Sequence, residues 1–319
     1  MTVLHTRVDT RDASFQQNRT LNLAAVGKLG ELLAKARAGG GPKYTERHLE
    51  RGKLLPRQRV DLLLDRDSPF LEICPLAGCH EGGIVPGGSV IAGIGWVHGV
   101  PCAITASDAT VQGGAINPFG LLRGTRMAEI AWENRLVEVH LIESAGADLP
   151  RQAELFVPGG AAFRHITQRS EQKLPTIALV FGSCTAGGAY VPGMSDYVVM
   201  VEQQAYMYLA GPPLVKMATQ EVVDDEALGG AAMHSRLAGT SDFMARDERH
   251  AVALGRTIVA QVGRQDPPPA APAEPPLFDA EELLGIASAD VKVPCPLNLS
   301  SLNSPTYLSP LAKLSVPGP

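Results

Sequence analysis

The chain has 319 residues, 45% of them hydrophobic and 19% charged, which suffices for one large or two ordinary domains with a substantial core and excludes global disorder. Its net charge of −5 gives no electrostatic footprint for nucleic acid or an anionic membrane surface. No apolar run reaches the roughly 18 residues a transmembrane helix needs, and the opening MTVLHTRVDTRDASF has neither the apolar core of a secretion signal nor the acid-poor character of a transit peptide.

From the N-terminus, Asn22 to Arg37 places Leu23, Val26, Leu29, Leu32 and Leu33 at helical spacing, and Gly39-Gly40-Gly41 stops the helix. Lys43 to Leu64 reads as a second helical region interrupted by Pro56. Its Arg47, Arg51, Lys53, Arg57 and Arg59 are expected on a solvated basic face rather than on a phosphate. Cys74, Cys79, Cys102, Cys184 and Cys295 are odd in number and scattered, which points to a reducing compartment without a disulfide framework. Cys74 and Cys79 with His80 lack the spacing of a zinc pair, so no metal is expected.

Ser89 to Trp96 and Val100 to Ser107 read as strands about a tight His98-Gly99 turn. Asp108 to Ala115, containing Gly113 and Gly114, is a Gly-rich turn that opens a helix running to about Asn134. Leu136 to Ile142 is a strand ending in Glu143-Ser144-Ala145-Gly146-Ala147-Asp148, followed by a helix around Ala161 to Arg169. The apolar run Thr176 to Phe181 is a buried parallel strand, and it leads through Gly182-Ser183-Cys184-Thr185 to Gly187-Gly188-Ala189. Strand, small-residue turn and helix thus recur three times, the pattern of a right-handed parallel arrangement whose ligands bind beyond the C-terminal strand ends. Such turns either present backbone N–H groups to an anion or a developing oxyanion, or are tight crossovers whose glycines serve packing.

Asp196 to Val201 is a further strand, Tyr206 to Lys216 is strand into turn, and Leu228 to His234 begins a small-residue helix. Asp247 caps a helix over Glu248 to Val262. Asp266 to Pro276 reads as a stiff Pro-rich linker, Glu281 to Ile286 as one more apolar segment, and the Pro- and Ser-rich chain from Pro294 as disordered or loosely associated.

Six segments in this order, LPRQRVDLLLDRDSPF, ASDATVQGGA, ESAGADLPRQAELFVPGG, GSCTAGGAYVPGMSDYVVMV, LAGPPLVKMAT and LGGAAMHSRLAGTSDF, resemble the carboxyltransferase (β) subunit of biotin-dependent acyl-CoA carboxylases. The likeness is to the methylcrotonyl-CoA and geranyl-CoA carboxylase branch and spans roughly residues 30 to 293. It implies an α/β fold of the crotonase-like type, a ββα superhelix, with a helical extension over 1–29, an acyl-CoA-binding N-type domain over 30–293 and a tail over 294–319. It implies an oxyanion hole made of the backbone N–H groups of Ala147 and Gly188. Gly146 and Gly187 would permit close approach, and Gly113, Gly114, Ala145 and Ala189 would contribute to acyl-CoA binding. Gly159 and Gly160, where methylcrotonyl enzymes carry bulkier residues, imply a roomier acyl pocket.

Related hydratases place a catalytic glutamate where this chain has Val191, so hydration is disfavoured. The implied chemistry is carboxyl transfer to an enolate, with biotin rather than a protein side chain taking the proton. His165 and His234 are expected to be structural or surface groups. The chain itself would bind no cofactor: carboxybiotin would arrive on a partner biotin carrier with its biotin carboxylase (α) subunit, and acyl-CoA would be the substrate. The setting implied is the bacterial cytoplasm, or the mitochondrial matrix in a eukaryote.

Two departures matter. Ala145 stands where the family often has Gly. After Lys292-Val-Pro294 the family continues into a second, biotin-binding half, whereas this chain has 26 residues of Pro/Ser-rich sequence. The expectation is a truncated carboxyltransferase, with a reading-frame change near Pro294, that associates with itself or with a separate C-half chain. A non-catalytic acyl-CoA-binding or assembly module is the alternative, and a crotonase-type hydratase ranks third.

Overall fold

In the computed structural model of the protein, the described residues are 8–82, 84–263, 279 and 281–286. The Pro-rich stretch 266–276, the Lys292-Val-Pro294 junction and the tail with Cys295 lie outside them. The described residues form two compact units, residues 8–31 with 279 and 281–286, and residues 32–263.

The helices are α1 (Ala13–Arg37), α2 (Pro42–Glu50), α3 (Pro56–Leu63), α4 (Pro118–Glu133), α5 (Gln152–Glu171), α6 (Tyr190–Gly193), α7 (Pro212–Thr219), α8 (Asp225–Gly229), α9 (Glu248–Val262) and α10 (Glu281–Ile286). In the smaller unit, Arg19 of α1 pairs with Glu281 of α10 at 2.8 Å, and Asn18 Nδ2 donates to the Gly285 carbonyl at 3.2 Å.

The apolar runs of the larger unit pair into one sheet of β1 (Leu71–Glu72), β2 (Val90–Val97), β3 (Val100–Ser107), β4 (Val137–Ser144), β5 (Thr176–Thr185), β6 (Tyr197–Val201), β7 (Tyr206–Tyr208) and β8 (Phe243–Ala245). The order is β1-β2-β3-β4-β5-β6-β8, with β7 pairing β5 near its C-terminal end. The first three strands are antiparallel, and from β3 onward all pairings are parallel. The β2–β3 turn is His98-Gly99, both at positive φ (49° and 73°), and the two amides donate to the Asp65 carboxylate at 2.8 Å each.

Strand alternation divides the core between two faces. Ile104, Val139, Leu141, Ile177 and Leu179 pack with Val60 and Leu63 of α3 and with Ile258 and Val259 of α9. On the other face Ala92 and Ala103 pack with Met127 and Ala131 of α4, and Arg169 of α5 reaches Glu138 of β4 there.

The strands, the hairpin and the Asp247 cap of α9, where His250 N donates to Asp247 Oδ1 at 2.8 Å, are as the sequence indicates. Several elements differ: β5 continues through Gly182 to Thr185 where a turn is expected, β1 and β8 are additional short strands, and α8 ends at Gly229 where the sequence reads as a helix start. Helix α1 begins at Ala13 rather than Asn22, because Asp12 Oδ2 accepts from the Ser14 and Phe15 amides and caps it. Helix α5 begins at Gln152 rather than Ala161 and carries Pro158 within it. Pro212 and Pro213 begin helix α7 rather than a turn, since the first helical turn needs no N–H from them.

The basic stretch is also corrected. Pro56 starts α3 rather than interrupting a helix, and Arg59 is buried, at 1% exposure, instead of solvated. Its guanidinium lies 4.5 Å from the Phe181 ring centroid, donates to both Glu248 oxygens at 2.8 Å, and meets Glu143 Oε2 at 2.8 Å. Lys53 Nζ donates to Glu143 Oε1. Gln204 Nε2 donates to the Phe181 carbonyl at 2.7 Å and to Glu248 Oε1 at 2.6 Å. The cluster ties α3 and α9 to the ends of β4 and β5. Arg59→Ala would leave Glu248 and Glu143 short of their main counter-charge, so urea unfolding should show a loss of about 3 kcal/mol or more; a change under about 1 kcal/mol would mean that the cluster is not a structural tie.

Candidate active site

The turns after β3, β4 and β5 meet at the C-terminal edge of the sheet. Gly114, at φ 75°, is tight enough that a Cβ would overlap the Glu143 carbonyl oxygen. Gly146, at φ 90°, sits so that a Cβ would stand 3.2 Å from the Thr185 carbonyl oxygen. These close approaches place the first turn on the second and the second on the third.

Backbone bonds fix the contact. Ala145 N donates to Gly113 O at 3.1 Å, Ile116 N to Gly146 O at 2.8 Å, and Asp148 N to Ile116 O at 3.0 Å. The Ser144 hydroxyl spans the junction, donating to Gly114 O at 2.7 Å and accepting from Gly146 N at 3.1 Å. Among the described residues the Ala147 amide meets no acceptor, although Gly146 and Asp148 on either side both do. Gly188 is buried in the short 3-10 turn Ala186–Ala189, and the Cys184 thiol donates to its carbonyl at 3.2 Å. Burial pushes that thiol up to about 12, so it stays a protonated donor.

A cavity of about 350 Å³ opens beside Ser144 and Gly188 and extends between the sheet and helices α4 and α5. Val191 lines it next to Gly188, so an apolar side chain, not a carboxylate, faces the space there. Residues 138, 140, 142 and 144 of β4 form one alternating face along it, with Thr105 of β3 paired beside His140. Gly159 and Gly160 lie on α5 outside this lining, which takes Ala161 and Ala162 from the next positions. Gly113 belongs instead to a second hollow, of about 490 Å³, with Tyr44, Thr110, Asp148 and Arg151. Gly187 is exposed, with open space where a side chain would be.

The far end of the first cavity is polar. Glu138 Oε1 lies 3.0 Å from His165 Nε2, and Oε2 lies 3.4 Å from His140 Nε2 and 3.2 Å from Arg169 Nε. His140 Nδ1 and Thr105 Oγ1 are 2.8 Å apart. Burial alone would raise the Glu138 carboxyl, but the close contacts of His140 and His165 and the Arg169 charge outweigh it and hold the group down to about 2. Outside the cavity lining, next to Ser144 in β4, burial opposes ionisation of Glu143 likewise, and Arg59 and Lys53 overcome it and lower its pKa. His234 is structural, 2.6 Å from Thr240 Oγ1 and 2.7 Å from the Met207 carbonyl.

The three turns touch through Gly113 against Ala145, Gly114 against Glu143, Gly146 against Thr185 and Gly188 against Ser144, while Gly159 and Gly160 lie outside the cavity lining. The residues missed from the sequence are Ser144, which bridges the turns, and the Glu138–His140–His165 cluster. The only sequence signal for the latter is Glu138-x-His140, two polar residues on one face of a strand.

The sequence matches the model of the carboxyl transferase domain over residues 47–298. It is 56% identical over 273 residues to a probable biotin-dependent acyl-coenzyme A carboxylase beta2 subunit of Mycobacterium tuberculosis, covering 84% of this chain and 51% of that protein. It is 43% identical over 312 residues to a probable mitochondrial methylcrotonoyl-CoA carboxylase beta chain of Drosophila melanogaster, covering 91% and 54%. The crystal structure of the geranyl-CoA carboxylase beta subunit of P. aeruginosa superposes with a TM-score of 0.83 at 42% identity, over 92% of this chain and 55% of that one. The chain spans about half the length of the curated relatives it matches, and its fold is the crotonase-like fold of these carboxyltransferases.

Because the Glu138 carboxyl is held far below its ordinary 4.5, its contribution to stability is complete above pH 4.5 and is lost as pH falls towards 2. Glu138→Gln should cost about 3 kcal/mol in urea unfolding at pH 7, with the gap to wild type narrowing below pH 4.5. A gap that is constant with pH would mean that the ionised carboxylate is not the stabilising form.

Proposed function

The chain belongs to the carboxyl transferase domain family, and from that membership we propose that it is the acyl-CoA-binding half of the carboxyltransferase component of a biotin-dependent acyl-CoA carboxylase. The observation that carries the reading is an Ala147 amide without an acceptor among the described residues, in the turn after β4, whose Ser144 lines a largely apolar cavity together with Gly188. A thioester oxygen bound there would accept from the Ala147 and Gly188 amides. Both donors are backbone groups fixed by the turns, so they are aligned before charge develops on the oxygen, and one such donor is worth about 3 kcal/mol in the transition state.

Val191 and the neighbouring apolar lining exclude water and offer no proton acceptor at the reacting carbon, which disfavours hydration. Carboxybiotin, delivered on a carrier by the partner α subunit, supplies the carboxyl group and the basic nitrogen. This chain's part is to bind, orient and polarise the acyl thioester. The acyl-CoA-binding domain is assigned to residues 30–293.

Exposed apolar side chains on α5 (Phe156, Val157) and α7 (Leu214, Met217) support association with a second copy or with a separate C-half chain. The setting is the bacterial cytoplasm, or the mitochondrial matrix in a eukaryote; the Drosophila relative is named as mitochondrial. Nothing within 3.9 Å would obstruct a Cβ at Gly188, so Gly188→Val should fold while its side chain fills the cavity mouth. Calorimetry should show methylcrotonyl-CoA or geranyl-CoA binding to the wild type and at least about ten-fold weaker binding to the variant. Equal affinities, or no binding to the wild type, would overturn the assignment.

A further inference from the structure

The mechanism uses only the mouth of the first cavity. Its far end holds a buried polar cluster that neither the oxyanion turns nor the thioester chemistry requires. Ser144 at the mouth and His140 further in point to the same side of β4, four residues apart, a separation of about 13 Å that a chain of roughly ten carbons would cover. Ile142, Ile116, Met127 and Ala162 line the space between, and the polar Thr125, Glu129, Arg164 and Gln168 of α4 and α5 also border the cavity. Along β4 the cavity face thus runs from Ser144 beside Gly188, past the apolar Ile142, to the imidazole of His140 and the hydroxyl of Thr105.

The cluster is anchored from behind. Arg169 is fully buried and donates to the Leu136 carbonyl at 2.6 Å while its Nε meets Glu138. Glu138 in turn holds His165 at 3.0 Å. His140 is held at Nδ1 by Thr105, and its buried Nε2 has no hydrogen bond among the described residues, approaching Glu138 only at 3.4 Å. A methyl group packed here would leave that nitrogen unsatisfied, at a cost comparable to a lost hydrogen bond. A hydroxyl can both donate and accept, so it suits either imidazole tautomer.

We propose that His140 and His165, positioned by Glu138 and Thr105, form a recognition subsite for an oxygen-bearing group, a hydroxyl or carbonyl, at the far end of a medium-length acyl chain. The subsite rests on the reading that the thioester carbonyl lies at Ala147 and Gly188. It makes His140 and His165 specificity-determining residues, and Glu138, Thr105 and Arg169 positioning residues.

The test is calorimetric binding of the full chain to two pairs of thioesters, decanoyl-CoA with 10-hydroxydecanoyl-CoA and hexanoyl-CoA with 6-hydroxyhexanoyl-CoA. The terminal hydroxyl should tighten binding about ten-fold in the longer pair and leave the shorter pair, which does not reach the cluster, within about two-fold. His140→Phe should remove the advantage of the long hydroxylated chain while keeping decanoyl-CoA affinity; the wild-type length comparison decides the matter even if that variant does not fold. If all four thioesters bind and the hydroxyl gives no advantage, or the same advantage at both lengths, the subsite is wrong and the thioester site stands. If none binds, the thioester site fails and the subsite with it.

Discussion

The buried cluster of Arg59, Glu143 and Glu248 is the constraint on which the rest of the structure depends. Two carboxylates share one guanidinium at 2.8 Å, with Lys53 completing the charge balance. Such a cluster is tolerable only if every partner is present, because the desolvation of each ion is large. That requirement fixes where β4 and β5 end relative to α3 and α9. Glu143 immediately precedes Ser144, and the Phe181 carbonyl, held by Gln204, lies in β5 four residues before its end at Thr185 (185 − 181). The strand ends carrying the turns are thereby held from behind by charge and from the side by the sheet.

From that fixed edge the turns need only short reach. Ser144 Oγ connects the first turn to the second, and the glycines at positive φ let backbone touch backbone. The outcome is a backbone amide without an acceptor among the described residues, at Ala147, in the turn whose Ser144 lines the cavity. That is the arrangement in which a hydrogen bond to a charge-bearing oxygen is strongest, since little water competes and the donor need not reorganise. The helix layer that walls the cavity supplies His165 and Arg169 to the Glu138 cluster, while Glu138, His140 and Ser144 share one face of β4 with Ile142 between them.

The strands were legible in the sequence because apolar runs such as Thr176 to Phe181 leave little alternative, and so were the His98-Gly99 hairpin and the Asp247 cap, which are local chemistry. The convergence of the three turns was legible only through family resemblance, since no residue pattern states that Gly146 lies against Thr185. The buried role of Arg59 was hidden because a charged residue in a basic stretch reads as solvated until its carboxylate partners, 84 and 189 positions further along the chain (143 − 59 and 248 − 59), are brought to it by the fold. The Glu138 cluster was hidden for the same reason: His165 and Arg169 lie 27 and 31 positions beyond Glu138 (165 − 138 and 169 − 138) and are brought to it only by the fold.

The central claim, that the Ala147 and Gly188 amides bind a thioester oxygen, is tested most directly by infrared difference spectroscopy of a saturated acyl-CoA labelled with ¹³C at the thioester carbonyl. Two backbone donors in a water-poor site should lower the carbonyl stretching frequency of the bound ligand below its value in water, and Gly188→Val should abolish the shifted band. A bound carbonyl whose frequency equals or exceeds the aqueous value would contradict the assignment.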